Sequence, residues 1–493
     1  MRAAWRVADV RAAEEALMAR LPAGTLMQRA ATALARRAAL LLADRFGSGY
    51  GRRALLLVGA GNNGGDALYA GAQLARRGVA VRALLLDPDR AHRAGLSAFL
   101  QAGGRVTGEE EQAGSRVTRQ ETADIVLDGI VGIGGKGGLR EPAAAALAAV
   151  KGNPLIVAVD VPSGVDADTG EVPGEAVTAD VTVTFGCLKP GLVVGAGARR
   201  AGLVDLVDIG LAPWLRADPA LRVPDREDIS AWWPRAGADS DKYTRGVVGV
   251  ATGSERYPGA GVLSVAGACA GPSGMVRYAG GAGEQVRFHH PSVIVSERVA
   301  DAGRVQAWVC GSGLGTDERA AAELRTVLAG SVPVCLDADA LNLLVDGSMA
   351  QWLRRREAPV VVTPHDREFA RLAGAPPGPD RVESALRLAA AMHATVLLKG
   401  DRTVVAGPDG EAWVNPTGAP ALATGGTGDV LAGLLGSLLA ARLPPARAAV
   451  AAAYAHGLAG REAARHGPVT ASDVAAALRP VVAGLTGAGT GKG

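Results

Sequence analysis

Gly425-Gly426-Thr427-Gly428-Asp429, running straight into Val430-Leu431-Ala432-Gly433, carries the plainest chemistry in this 493-residue chain. Glycines followed at once by an aspartate and an apolar helix describe an anion hole. Its backbone N–H groups would face a transferring phosphoryl group, with Asp429 placed to accept the proton of an attacking hydroxyl. The bland alternative is a glycine turn with a first-turn carboxylate. A Walker pattern, GxxxxGK[ST], occurs nowhere. Other small-residue segments fall where strands should end: Cys310-Gly311-Ser312-Gly313-Leu314-Gly315, Asp337-Ala338-Asp339, Thr363-Pro364-His365-Asp366-Arg367 and Lys399-Gly400-Asp401-Arg402-Thr403. Tyr257-Pro258-Gly259-Ala260 enters a helix in the same style. His365 could cap or be solvated as readily as it could meet a ligand.

The first half offers a second constellation. A strand at 54–58 leads into Gly59-Ala60-Gly61-Asn62-Asn63-Gly64-Gly65-Asp66. Glycines between strand and helix let N–H groups approach a phosphate, and Asn62, Asn63 and Asp66 add three polar side chains that a mere turn would not require. Asp66 could equally cap the following helix. Asp128 opens Gly129-Ile130-Val131-Gly132-Ile133-Gly134-Gly135-Lys136-Gly137-Gly138, and Asp160 opens Val161-Pro162-Ser163-Gly164. Two carboxylates at corresponding strand ends beside amide-rich loops suggest a hard-cation site together with an acid/base group. Only six of the 52 basic residues are lysine: Lys136, Lys151, Lys189, Lys242, Lys399 and Lys492. In so arginine-rich a background, Lys189 in Phe185-Gly186-Cys187-Leu188-Lys189-Pro190 reads as a chosen ammonium.

These residues need a parallel sheet that gathers strand ends at one edge. Short apolar runs alternating with helical patterns supply it. In the first half, strands are predicted at 54–58, 81–86, 124–127, 155–159, 181–185 and 203–207, with helices at 65–77, 92–101 and 141–150. In the second, strands are predicted at 247–251, 305–310, 332–336, 360–363 and 395–398, a hairpin at 403–414, and helix from Gly428, the last helix capped by Ser472. Residues 210–241, with four prolines and an exposed-looking Trp232-Trp233, read as a connector. The predicted fold is α/β in two domains, 1–215 and 222–493, the first a Rossmann-like parallel-sheet domain.

Composition narrows the classes. A formal charge of +3, from 52 basic and 49 acidic residues, argues against a nucleic-acid or membrane partner. The 48% hydrophobic content excludes wholesale disorder, and 68 glycines without a three-residue period exclude collagen. Cys187, Cys269, Cys310 and Cys335 form no CxxC, so neither a disulfide framework nor a zinc site is expected. No signal peptide is expected from the charged first thirty residues, nor a spanning helix from 431–443, short of the ~20 residues needed. A cytoplasmic protein acting on small molecules is expected; a homo-oligomer is expected too, though no residue argues for one.

The run GNNGGD, the DGIVGIG segment, VDVPSGVD and FGCLKPGL together resemble the NAD(P)H-hydrate epimerase domain, over residues 1 to about 215. The resemblance implies that Asn62–Asp66 and Gly132–Gly138 hold a hydrated dinucleotide. It also implies that Asn63, Asp128 and Ser163 contribute to a potassium site, and that Asp160 lies near the reacting carbon. Lys189 would add a cation at that site. From about 222 to 485, KYTRG, GSERYPGA, GSGLG, DADALN, TPH, KGDRT and TGGTGDVLAG resemble the ADP-dependent NAD(P)H-hydrate dehydratases of the ribokinase-like superfamily. That likeness implies that Ala260, Gly313 or Gly315, His365 and Asp429 contact the hydrate. Lys399, Gly400, Asp401, Arg402 and Thr403, with Gly425, Gly426 and Gly428, would bind ADP, and Mg²⁺ would screen its phosphates. Two positions depart from the family pattern: Asp241 stands before Lys242-Tyr243 where histidine is usual, and Asp366-Arg367 follow His365 where Pro-Gly is usual. Two rivals stay open at this point. One is a ribokinase-like kinase for a vitamin precursor or sugar, releasing a stable phosphoester. The other makes the first half a non-catalytic binding module.

Overall fold

The computed structural model describes residues 1–107, 121–345 and 347–487. Lys492 and the last residues of the expected second domain therefore lie outside the described residues. The chain divides into two compact units, one spanning Ala3–Ala220 and the other running from Leu221 onward with Met1–Arg2. Residues 216–220 thus go with the first unit.

In the first unit the described residues form a seven-stranded sheet. Its order is Leu203–Val207, Val181–Phe185, Leu155–Val159, Ile125–Gly129, Arg53–Val58, Ala80–Leu85, Arg105–Val106. Every pairing is parallel. The inner strands, such as Leu155–Val159, are short and largely apolar because helices cover both faces. Leu56, Val58, Leu127, Val157 and Val183 pack into one core with Leu34, Leu68 and Leu74 of the flanking helices. The helix Asn62–Arg76 starts three residues before the expected Gly65, so Asn62–Asp66 lie in its first turns. Asp128 and Gly129 likewise sit inside the strand end, where 124–127 was expected.

The second unit is built on one large, mostly parallel sheet among the described residues. Seven of its strands, from the edge strand Ile294–Ser296 through Met275–Ala279, Val247–Ala251, Ala307–Cys310, Val334–Leu336 and Val360–Val362 to Thr395–Leu398, pair in parallel in that order. The hairpin Val404–Ala406 and Ala412–Val414 continues it antiparallel, as expected. Met275–Ala279 and Ile294–Ser296 escape a sequence reading because Arg277 interrupts one apolar run and the other has three residues.

The connector reading of 210–241 is corrected. Leu221–Val223 is a strand and Arg226–Trp232 a helix closed by a reciprocal cap between Asp225 and Asp228. Trp233 is 4% exposed, and Trp232 meets Trp413 edge-on at 5.4 Å. A seven-residue helix between Pro224 and Pro234 is too short to show a period, so the stretch looks irregular although it belongs to the second core. The last helix, Ala471–Thr486, is capped by Thr470 paired with Asp473. Ser472 is its second residue, not its cap.

Two helices of this unit, Pro258–Ala270 and Thr427–Ala440, approach backbone to backbone. A Cβ at Gly433 would lie 1.9 Å from the Ser264 carbonyl oxygen, and one at Gly267 2.0 Å from that of Val430. Alanine normally gains about 1 kcal/mol over glycine in a helix. Gly433→Ala should instead lose about 2–3 kcal/mol through overpacking, read by urea denaturation; a neutral or stabilising result would contradict this packing.

No helix among the described residues is long and apolar enough to cross a membrane. The four cysteines are unpaired.

Candidate active sites

In the first unit, Gly64 and Gly132 are demanded by close approach. A Cβ at Gly64 would lie 2.2 Å from the Gly59 carbonyl oxygen, and one at Gly132 3.1 Å from the Asn63 carboxamide carbon. That carboxamide donates to the Val159 carbonyl (3.0 Å) and accepts from the Gly132 N–H (3.3 Å). Asp128, at the next strand end, is fully buried and accepts from the Ser163 hydroxyl (2.6 Å), the Ser163 N–H (2.8 Å) and the Ile130 N–H (3.3 Å). Burial lifts its carboxyl to about 6 against those bonds. The Ser163 hydroxyl in turn accepts from the Val131 N–H at 3.0 Å. The structure thus brings Asn63, Asp128 and Ser163 together around the start of the Gly132–Gly138 loop, each contributing a side-chain oxygen. Within that loop, Gly135 turns back on the Gly132 carbonyl, Ile133 packs against the core, and Gly134 lies beside Arg11. Gly137 is left-handed and Gly138 presses on Gly174. Lys136 is largely exposed and paired with Asp166 at 2.7 Å.

Asp160 sits at the end of Leu155–Val159 with φ +66°, a region non-glycine residues avoid. Its Oδ1 accepts from Lys189 Nζ (2.6 Å), the Thr184 hydroxyl (3.0 Å) and the Phe185 N–H (3.3 Å). Lys189 is 1% exposed and also donates to Thr184 Oγ1 and the Phe185 carbonyl, both at 3.0 Å. An ammonium has three N–H bonds, so none is left for a ligand. The charge of Lys189 acts through Asp160.

Two further acids lie within electrostatic reach of Asp160. Burial pushes Asp66 well above the usual carboxylate range, helped by the charges of Asp160 and Glu14. Asp66 does not cap its helix, and its shielded Oδ1 has no hydrogen-bond partner. Burial also raises Glu14, opposed by Lys189. Glu14 was missed in the sequence. The available signal was its position on the helix Val7–Met18, four residues after buried Val10 and three before buried Leu17.

In the second unit, Gly426 is left-handed (φ +88°) and leads into Thr427–Ala440. The Thr427 and Asp429 N–H groups return to Thr424 and Gly426 carbonyls (3.4 and 3.1 Å), whereas those of Gly425, Gly426 and Gly428 have no backbone acceptor among the described residues. A Cβ at Gly425 would meet nothing within 4 Å. The turn is therefore an open row of donors at a helix N-terminus, suited to an anion. Asp429, behind it, is raised to about 7 by burial and then by the charge of Asp337; a Ser312 hydrogen bond and Lys399 pull the other way.

Asp337, Ser312, Thr363 and Glu368 complete the site, and no role was read for them in the sequence. Asp337 is 2% exposed. Its Oδ1 accepts from the Thr363 hydroxyl (2.7 Å) and Lys399 Nζ (2.8 Å), and its Oδ2 from the Ser312 hydroxyl (3.1 Å). Glu368 Oε2 lies 3.6 Å from Lys399 Nζ. Burial works against the Lys399 charge, but Asp337 and Glu368 outweigh it and raise its affinity for the proton. A Cβ on Gly428 would be 3.6 Å from that ammonium. Lys399 therefore stands beside the anion turn, held by two carboxylates.

The remaining expected residues flank this centre. Gly313 and Ala260 touch: a Cβ at Gly313 would come within 2.7 Å of the Ala260 Cβ. The Gly315 N–H donates to Asp339 at 2.9 Å. His365 caps the helix Asp366–Ala373, its Nδ1 accepting from the Arg367 and Glu368 N–H groups (3.1 and 3.3 Å). The Asp366-Arg367 departure is absorbed there: Asp366 pairs with Arg381 at 2.8 Å, and His365 keeps a half-exposed ring. Gly400 accepts from the Thr403 hydroxyl (3.0 Å), Asp401 packs its carbonyl against Gly418, and Arg402 donates to the Pro416 carbonyl (2.7 Å). That turn is thus shaped internally, with Arg402 engaged by its own chain.

A family model described as NAD(P)H-hydrate dehydratase matches residues 248–479, and one described as YjeF-related protein N-terminus matches residues 23–191. The bifunctional NAD(P)H-hydrate repair enzyme Nnr of Mycobacterium tuberculosis (strain ATCC 25618 / H37Rv) is 50% identical over 450 residues, 91% of each chain. That of Mycobacterium leprae (strain TN) is 48% identical, covering 98% of this chain and all of its own. Among solved structures, the ADP/ATP-dependent NAD(P)H-hydrate dehydratase of Bacillus subtilis, co-crystallized with ATP/Mg2+, is 29% identical. It covers 53% of this chain and 97% of its own, with a TM-score of 0.47. At such identity along nearly its whole length, the chain belongs to the family of bifunctional NAD(P)H-hydrate repair enzymes.

Proposed function

We propose that this chain repairs hydrated NADH and NADPH, its first unit exchanging the R and S hydrates and its second dehydrating the S hydrate at the expense of ADP. The observation that carries the reading is the open Gly425–Gly428 turn with a half-buried carboxyl, Asp429, directly behind it and the Lys399 ammonium beside it. Water is a poor leaving group from the ring carbon next to nitrogen. Asp429 takes the hydroxyl proton as that oxygen attacks the terminal phosphoryl group of ADP, and the turn's N–H groups stabilise the charge in transit. AMP departs. The ring nitrogen's lone pair then expels phosphate, and loss of a proton from the adjacent carbon restores the double bond.

Ala260, Gly313 or Gly315, His365 and Asp429 would line the hydrate, and Lys399–Thr403 with Gly425, Gly426 and Gly428 the nucleotide. Asp337 and Glu368 are engaged with Lys399, so Mg²⁺ would arrive on the nucleotide's phosphates, whose charge it screens. In the first unit, Asn62–Asp66 and Gly132–Gly138 would cradle the dinucleotide, with Asp160 at the reacting carbon. The converging oxygens of Asn63, Asp128 and Ser163 fit a hard monovalent cation, and potassium there would brace the loop. Unpaired cysteines suit a cytoplasmic setting.

The test supplies purified protein with separated R and S hydrates, with and without ADP, and follows return of the reduced-nicotinamide absorbance. The S hydrate should be restored only with ADP, and the R hydrate should follow through epimer exchange. Accumulation of a stable phosphoester would instead indicate a kinase.

A further inference from the structure

Asp66 is an anomaly that binding alone does not explain. A shielded carboxyl oxygen without a partner costs about 1–3 kcal/mol, and Asp66 stands one helical turn after Asn63, whose carboxamide reaches the carbonyl of Val159, the residue before Asp160. The backbone leaves it little freedom: a Cβ at neighbouring Gly65 would lie 2.9 Å from the His92 ring, and that ring's Nδ1 is taken by the Gly95 N–H at 3.0 Å. All three contacts to Asp160 fall on Oδ1, the shortest from Lys189 Nζ. Asp160 Oδ2 has no contact of this kind among the described residues.

We propose that Asp66 is a second acid/base group of the epimerisation site, working opposite Asp160 on the hydroxyl-bearing ring carbon. This rests on the reading of the first unit as the epimerase. One carboxyl shielded without a partner and one paired with an ammonium can divide acid and base duty between the same side-chain type. The charged groups facing them are Glu14 and Arg11 from the first helix, Lys189 and the Cys187 thiol from the far strand end, and each other. Asp66 gives its proton to the departing hydroxyl, the C–O bond breaks, and water leaves as the ring nitrogen's lone pair forms an iminium. A water molecule then adds to the opposite face and loses its proton to Asp160. The reverse direction exchanges the two roles, so no outside oxidant or reductant is needed.

The experiment gives the full-length wild type, Asp66→Asn and Asp160→Asn chains the pure R hydrate without ADP, and measures S hydrate formed above the spontaneous rate across pH. Asp66→Asn should lose about 10²-fold or more in kcat with KM little changed. The alkaline fall of the wild-type profile, where Asp66 gives up its proton, should vanish. ADP-dependent dehydration of the S hydrate should stay at its wild-type rate, reporting an intact fold. Asp66→Asn chains with an undiminished rate, or with a lower rate but the same alkaline fall, would overturn this assignment alone. A wild type that exchanges no epimers would overturn both it and the reading beneath it.

Discussion

Replacing Asp429 with asparagine should lower ADP-dependent restoration of the S hydrate by about 10³-fold, within the range expected for loss of a positioned base, while epimer exchange stays unchanged. The shape is conserved and the helix turn keeps its donors, so only the proton acceptor is lost. In the wild type that acceptor is raised to about 7, first by burial and then by Asp337. Its working form is the ionised one, so the dehydration rate should climb with pH through about 7 and level off above. The same group costs stability when ionised. Protonation favours the folded state below the ordinary carboxylate range, and that contribution fades as pH rises through about 7. Asp429→Asn, neutral at every pH, should therefore gain on the wild type in thermal melts as pH climbs from 5 to 8. Loss of both activities together in a folded variant would break the division of labour between the units.

Lys399→Met should be damaging in two ways. Asp337 and Glu368, with side chains 2% and 7% exposed, would lose their cation, and leaving buried charge unpaired costs about 3–5 kcal/mol. The ammonium also pulls Asp429 downward, so its removal should move the pH profile of dehydration to higher pH and cut the rate at neutrality by about 10²-fold. Chemical denaturation of the full chain reads the first effect and the pH profile the second. Adding Asp337→Asn should return part of the stability and none of the activity. A Lys399→Met chain within about 0.5 kcal/mol of the wild type, the size of an ordinary surface change, would mean the ammonium is not holding the carboxylates together.

What could be read before folding follows physical lines. Leu155–Val159 and Thr395–Leu398 announce themselves because a buried parallel strand is apolar throughout, and Asp160 and Lys399 are found simply by standing just past them. Gly425–Asp429 is legible because donors and carboxyl share five consecutive residues. Asp337, Ser312 and Thr363 are not: their meeting depends on Ala307–Cys310, Val334–Leu336 and Val360–Val362 being neighbours in the sheet, and nothing local encodes that order. Lys189 was conspicuous as a rare lysine, but its partner is fixed by the pairing of Val159 with Val183, across which Asp160 and Thr184 come into reach. Glu14 lies on a helix remote in sequence from every glycine motif, so only packing reveals it. The 226–232 helix was hidden between prolines for want of length.

The most direct measurement follows the hydrate's own hydroxyl oxygen. S hydrate carrying a heavy oxygen isotope in that hydroxyl is converted with ADP, and the released phosphate and water are analysed by mass. If Asp429 and the Gly425–Gly428 turn make the hydroxyl a phosphate ester before it leaves, the heavy atom must appear in inorganic phosphate. Heavy water beside unlabelled phosphate would show that the hydroxyl departs without ever meeting phosphorus, and would contradict the account.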